Sequence, residues 1–306
     1  MRRAGALLSL AAALCAVPGC GRSALVEARV AGAVDSEATL DTLHDYEIGQ
    51  TAARSRVADL EALLRESGGD PRVLVLLARA WCRLSFVFTA DEHDRALELG
   101  DAALAAYHRD RARAGYARAV YFADAWLERK APGYTRELRD LERLESFAAA
   151  RFPADAAEPL LWAGFGRVAQ AALTPSASQA VVLRRQGAAL LRHSLALAPG
   201  LARGLAHLAL ALDAALQREP DLGGLRTELL RADEAAAGRR LFTRVLRART
   251  LACLTRDRRE FESELDAVLA APDLAPELRL ENAAAKRRAR LYLTSARLHA
   301  ECFAPR

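Results

Sequence analysis

Residues 187–216 read GAALLRHSLALAPGLARGLAHLALALDAAL, and the spacing in this stretch decides the fold. Leu201, Leu205, Leu208, Leu212 and Leu216 fall at steps of four and three, so a helix over 201–216 carries them as one apolar stripe. Leu208-Ala209-Leu210-Ala211-Leu212 is apolar on more than one side. A helix of that kind packs between neighbours, and alanine lets helix axes approach closely. Pro199-Gly200 ends the preceding helix, because proline cannot continue it and glycine tolerates the turn. Outward from here, Ala, Leu, Arg and Glu dominate from about Leu40 to Phe303, all strong helix formers. Isoleucine occurs once, at Ile48, and β-branched runs are absent, which argues against a sheet. Breaks are short: Ser67 to Pro71, Ala131-Pro132-Gly133, Phe152-Pro153, Pro175, Pro220 to Gly224, and Pro272 to Pro276. Between the last two breaks, Phe261, Leu265, Val268 and Leu269 form a second apolar stripe.

Gly187, Leu191, Ser194, Leu195, Leu197 and Pro199 resemble the second helix of a tetratricopeptide repeat: small, large, small, then proline after the helix end. Leu205, Leu208, Ala209 and Leu212 resemble the first helix of the next repeat. Asp70-Pro71 and Phe152-Pro153 look like the same punctuation with weaker helices around it. The resemblance implies an all-α fold, an α-solenoid of roughly three to five tetratricopeptide-like helical hairpins. A non-repeating helical array is the alternative.

The N-terminus reads as a bacterial lipoprotein signal. Arg2-Arg3 is followed by an apolar run from Ala4 to Val17, then Val17-Pro18-Gly19-Cys20. About fourteen apolar residues suit a signal-peptide core and are too few to span a bilayer. Gly19-Cys20 fits the end of a lipobox, in which the cysteine receives the lipid; Val17 and Pro18 depart from its usual residues. A plain secretory signal is the alternative. The expected organisation is a signal peptide over 1–19, a lipidated tether over 20–39 and a helical domain over 40–306. Gly21, where an inner-membrane protein would carry Asp, favours the outer membrane. No stretch of about eighteen apolar residues follows Cys20, so no transmembrane span is expected.

Charge and chemistry exclude more than they assign. The 44 basic and 39 acidic residues leave a net +5, or +3 once Arg2 and Arg3 depart. The bases are nearly all arginine, with Lys130 and Lys286 the two lysines; this composition does not point to nucleic-acid binding. Arg109, Arg111 and Arg113, like Arg256, Arg258 and Arg259, read as solvated helix faces or turns. Cys82, Cys253 and Cys302 remain in the mature chain without metal-like spacing. Each reads as a small buried hydrophobe, and one disulfide among them would suit an oxidising compartment without the sequence choosing the pair. The six histidines are scattered and none pairs at ligand spacing. No phosphate loop, metalloprotease helix or nucleophile elbow occurs, so neither a metal nor a cofactor is expected. His207 stands out inside the leucine-rich helix, as a hydrogen-bonded core residue or as a polar group in an apolar pocket. Trp162 reads as an interface or pocket residue. Gly164 and Gly166 read as the site of a close helix crossing or of a ligand's approach to the backbone, and Gly223-Gly224 as a turn.

These residues fall in a recognisable order. Glu158 to Gly164, Leu191 to Pro199, Arg203 to His207, the pair Gly223-Gly224, Phe261 to Leu269, and above all Leu278-Arg279-Leu280-Glu281-Asn282-Ala283-Ala284-Ala285-Lys286-Arg287-Arg288-Ala289 resemble the motifs of the TatT family. That family is the T component associated with tripartite ATP-independent periplasmic (TRAP) transporters. The resemblance implies a periplasmic lipoprotein that assembles as a homotrimer. It further implies pairing with a substrate-binding P component and delivery of a hydrophobic or amphipathic small molecule. Carried onto this sequence, the motif positions are Trp162, Gly164, His207, Gly223, Gly224, Asn282 and Lys286. Trp162 and His207 are then the expected ligand-binding residues, and Asn282 is expected to cap a helix or bridge backbone groups. Leu225 departs from the family's usual Asp after the glycine pair, leaving the cap of that helix unassigned. Two other functions compete. A scaffold lipoprotein for envelope assembly would have a solid core, and a cell-wall enzyme would need a glutamate in a cleft.

Overall fold

The computed structural model describes residues 18–273 and 275–304, with side chains from Ser23 onward. Most of the expected signal peptide, and the side chain of Cys20, lie outside the described residues. The chain is 84% helical, and its described residues contain no strand.

Sixteen α-helices are described: α1 (Pro18–Asp35), α2 (Tyr46–Glu66), α3 (Pro71–Arg83), α4 (Ala90–Glu98), α5 (Ala102–Lys130), the short α6 (Tyr134–Glu137), α7 (Leu141–Arg151), α8 (Ala157–Ala172), α9 (Ala177–Leu197), α10 (Leu205–Ala215), α11 (Leu222–Ala235), α12 (Phe242–Arg247), the single turn α13 (Cys253–Thr255), α14 (Arg258–Ala270), α15 (Arg279–Thr294) and α16 (Ala296–Phe303). Two π-helical segments interrupt them: Leu84–Thr89 joins α3 to α4, and Ala248–Ala252 joins α12 to α13. Helix starts are set by short acids. Asp45, Asp70, Asp101, Asp140, Asp221 and Asp257 each accept a backbone N–H from the first turn, satisfying donors that have no partner within the helix.

Packing runs from hairpin to hairpin and centres on α8, where thirteen of sixteen residues are buried. Its glycines fix both neighbours. A Cβ on Gly164 would stand 2.7 Å from the Leu191 side chain and 2.8 Å from the Gly187 carbonyl on α9. A Cβ on Gly166 would meet the Val120 side chain on α5 at 2.8 Å. Both glycines therefore serve helix crossings, one on each side. Ser194 of the repeat-like stretch donates to the Ala157 carbonyl at 2.7 Å and ties α9 to the start of α8.

Three expectations are corrected, and two open readings are filled in. The 20–39 stretch, read as a tether, is helical: α1 is followed by a 3-10 turn over Ser36–Thr42, with Val30 fully buried and Glu27 bidentate to Arg72. The helix over 201–216 begins only at Leu205; Ala202, Arg203 and Gly204 take left-handed φ of 49°, 49° and 79° in succession. Only glycine adopts this region without cost, so external contacts must hold the first two residues there. Gly223 and Gly224 are not a turn but the first turn of α11, capped by Asp221, whose carboxylate occupies the space of a Gly224 side chain. That supplies the cap Leu225 lacks, and Leu225 itself is fully buried. Cys253 and Cys302 are joined in a disulfide, while Cys82 stays free and buried. Lastly, α3, the π segment and α4 run as one 28-residue helix, Pro71–Glu98, long and apolar enough by composition to cross a membrane. Its most apolar window is 67% buried against other helices, which makes it the core helix of the array.

The array closes on itself. Helix α15 returns to α2, α4 and the first π segment, with Arg287 bonded to Asp91 at 2.9 Å and Tyr292 to Asp94 at 2.6 Å; from α16, Arg297 bonds Glu98 at 2.9 Å. Gly164→Ala is expected to destabilise the protein by about 1–3 kcal/mol through overpacking, read as a fall of several degrees in the thermal midpoint. Gly223→Ala, whose Cβ would meet Asp221 at an ordinary 3.6 Å, is expected to leave the midpoint unchanged or raise it slightly.

Candidate functional site

Two adjoining cavities lie between the helices of the closed array. The larger has a volume of about 570 Å3. Val168, Leu208, Leu212 and Leu246 form its apolar flank, and Phe86, Phe165 and Phe242 one end. Leu216 and Leu254, about 40% exposed at 39% and 41%, reach its lining from the solvent side. The smaller cavity, about 290 Å3, is charged. Its arginines are each paired: Arg79 with Glu158, Arg83 with Asp41 at 3.0 Å, Arg203 with Glu277 at 3.0 Å, and Arg240 with Glu281. Burial pushes the Asp41 carboxyl above its ordinary range against the pull of Arg83. Phe86 and Phe165 line both cavities. Their rings meet edge to face at 5.4 Å and form the partition between them.

Both π segments lie on the wall of the larger cavity, which Phe86 lines from the first and Arg249 and Thr250 from the second. A π turn inserts a residue into a helix and re-aims the side chains around it. The Cys253–Cys302 disulfide also faces this cavity and fixes α16 against the second π segment.

The polar end of the larger cavity is built by closure. Arg288 on α15 has its guanidinium 5.5 Å from the Phe86 ring and 5.1 Å from the Phe242 ring. Its Nη2 donates to the Phe86 carbonyl. Its Nε stands 3.5 Å from Asp91 Oδ1, and neither atom has a hydrogen-bond partner. Asp91 is fully buried, and its Oδ2 accepts from Tyr46 and Arg287. Asp94, Tyr116 and Tyr292 complete this end. Burial raises both tyrosine hydroxyls well above their ordinary range, so they remain proton donors.

The expected ligand residues divide. Trp162 lines the smaller cavity and donates its Nε1 to Glu158 at 2.9 Å. His207 lines neither cavity. It shares a face of α10 with Ala211 and Ala214, turned toward α11, where its Nδ1 meets Glu228 at 2.7 Å. Leu208, Ala209 and Leu212, on the opposite face, are the cavity residues. The Glu228 carboxyl, which burial alone would raise, is brought below its ordinary value by His207 and Arg231. Gly164, Gly223 and Gly224 shape the packing already described. Asn282 bridges backbone groups of one loop, accepting from Leu241 N at 3.0 Å and donating to the Arg239 carbonyl at 2.9 Å. It thereby sets Arg240, whose guanidinium holds the carbonyls of Ala202 and Arg203 and keeps the left-handed turn in place. Lys286 donates to the Ala271 carbonyl and ties down the α14–α15 connection. Sequence reasoning missed Arg288, although Ala284, Ala285, Ala289 and Tyr292 place it on a buried stripe where a charge is costly.

A family model described as the TRAP transporter T-component matches residues 43–298. No curated protein matches the sequence significantly. The match takes in every helix from α2 to α15 and all the cavity's polar groups except Glu301 and Cys302.

Arg240→Met should cost about 2–4 kcal/mol, because it leaves the part-buried Glu281 without its partner and releases the strained turn. Adding Glu281→Leu should recover part of the loss. Chemical denaturation of both variants checks this.

Proposed function

Since the chain belongs to the TRAP transporter T-component family, an accessory component of a transport system, we propose that its larger cavity receives a hydrophobic or amphipathic small molecule. The protein works with a substrate-binding P component to deliver that molecule. It is held in the periplasm by lipid on Cys20, at the outer membrane, and assembles as a homotrimer. The observation that carries this reading is the apolar cavity of about 570 Å3 that the closed array forms, open to solvent at its Leu216–Leu254 side. Its volume lies in the range of small-molecule sites, and its walls are apolar with few polar groups.

Binding needs no covalent chemistry. A tail laid along Leu208, Leu212 and Leu246 gains roughly 25 cal/mol per Å2 of apolar surface removed from water. Rigid walls reduce the ordering cost. No catalytic role is assigned: the charged cavity's acids are engaged by arginines, which suits structure better than proton transfer. The competing scaffold reading needs a solid core, and the cavity favours delivery over it.

Protein extracted from membranes and stripped only after mass spectrometry is expected to carry lipid-like small molecules at near one per chain. Preparations that are empty and bind nothing from an envelope extract would overturn the reading. Separately, Cys20→Ser is expected to lose fatty-acid label and leave the membrane fraction; retained label would overturn the anchor.

A further inference from the structure

Three arginines have side chains almost wholly inside the protein, and two of them are fully engaged. Arg167, 4% exposed, is bidentate to Asp124 at 3.1 and 2.6 Å and also donates to the Ala163 carbonyl. Arg240, also 4% exposed, is paired with Glu281 and donates to two further carbonyls. Arg288, 8% exposed, is the exception: among the described residues its guanidinium makes one hydrogen bond, to the Phe86 carbonyl. A guanidinium has five N–H donors, and leaving them unmet in an apolar interior is costly. Arg288 lines the larger cavity. Tyr116 lines it too, and its hydroxyl has no hydrogen-bond partner among the described residues. Arg288 and Tyr116 thus both keep unmet donors on the cavity's lining.

Charge narrows what they can take. The cavity's lining holds Arg249, Arg256 and Arg288 against Asp94 and Glu301, one positive charge in excess; Asp91, 3.5 Å behind Arg288, is offset by Arg287 at 2.9 Å and leaves that excess unchanged. Glu301 is bonded to Arg249 at 2.9 Å, and Asp94 accepts from Tyr292 at 2.6 Å. A single negative charge balances the lining, while a second would face Asp94 without a counter-ion. A planar carboxylate matches the arginine fork, and its bonds to a charged donor are stronger than neutral ones.

We propose that the cavity is a site for long-chain monocarboxylates, with the carboxylate on Arg288 and Tyr116 and the alkyl chain along Val168, Leu208, Leu212 and Leu246 toward the Leu216–Leu254 rim. This rests on reading the cavity as a ligand site, and adds the head group and its anchor.

Calorimetric titration of the full-length protein, delipidated, with dodecanoate, 1-dodecanol and dodecanedioate tests both levels. Dodecanoate is expected to bind about 10- to 100-fold more tightly than dodecanol, the span of a charge-assisted hydrogen bond. Dodecanedioate is expected to bind more weakly than dodecanoate. Arg288→Met is expected to bring dodecanoate down to the level at which the same variant binds dodecanol, with its helical circular dichroism and thermal midpoint checking that it is folded. Equal binding of acid and alcohol by the unaltered protein overturns the carboxylate anchor but leaves the ligand cavity standing, and needs no variant to fold. A variant that keeps the full preference for acid overturns the role of Arg288. Failure of all three probes removes the cavity reading and this one together.

Discussion

Three carboxylates on one stripe of α4, Asp91, Asp94 and Glu98, meet Arg287, Tyr292 and Arg297 from the far end of the chain. Their spacing of three and four keeps the acids in line along the helix. The partners are nearly two hundred residues away, so closure confers order only once everything between is folded. Without these contacts the hairpins would form an open superhelix with a groove. With them, the groove becomes an interior, bounded at one end by Phe86, Phe242 and Arg288.

Closure explains why charge is tolerated at that end. Asp91 is fully buried, which for an isolated carboxylate would cost several kcal/mol. It is shared by Tyr46 and Arg287 through one oxygen and by Arg288 through the other at longer range. Arg287 in turn lies 4.3 Å over the Tyr46 ring. The cluster pairs Asp91 Oδ2 on the side facing α2 and leaves Oδ1 with the Arg288 charge alone, at 3.5 Å. On the side facing the cavity it presents arginine donors, and that asymmetry makes it a candidate site as well as a structural joint.

Local features were legible in the sequence because local physics decides them. The Pro–Gly breaks, the stripe of Phe261, Leu265 and Val268 and the glycine crossing at Gly164 all follow from residue chemistry within a turn or two. The backbone bridge by Asn282 was legible only through the family resemblance. What was hidden is non-local. Leucine periodicity over 201–216 carried no sign that Arg240 would pull Ala202 and Arg203 into left-handed geometry. The sequence left His207 between a hydrogen-bonded core and a pocket because α10 is apolar over most of its surface: the pattern does not say which apolar face meets the cavity and which meets α11. The π segments also lacked a local signal, since Leu84–Thr89 reads as ordinary helix text.

The π segments bear on why the cavity stays open. Close-packed helices would fill such a space, because every unfilled volume forfeits dispersion contacts. Here Phe86 is carried on one π turn and stacks 4.6 Å from Phe242, while Thr89 returns its hydroxyl to the Leu84 carbonyl five residues back and closes the widened turn. The second π segment is held from outside by the Cys253–Cys302 bond to α16. Each widened turn is thus braced by its own contact and neither depends on filling the cavity. The hollow is bordered by two turns whose shape a hydrogen bond and a covalent link hold.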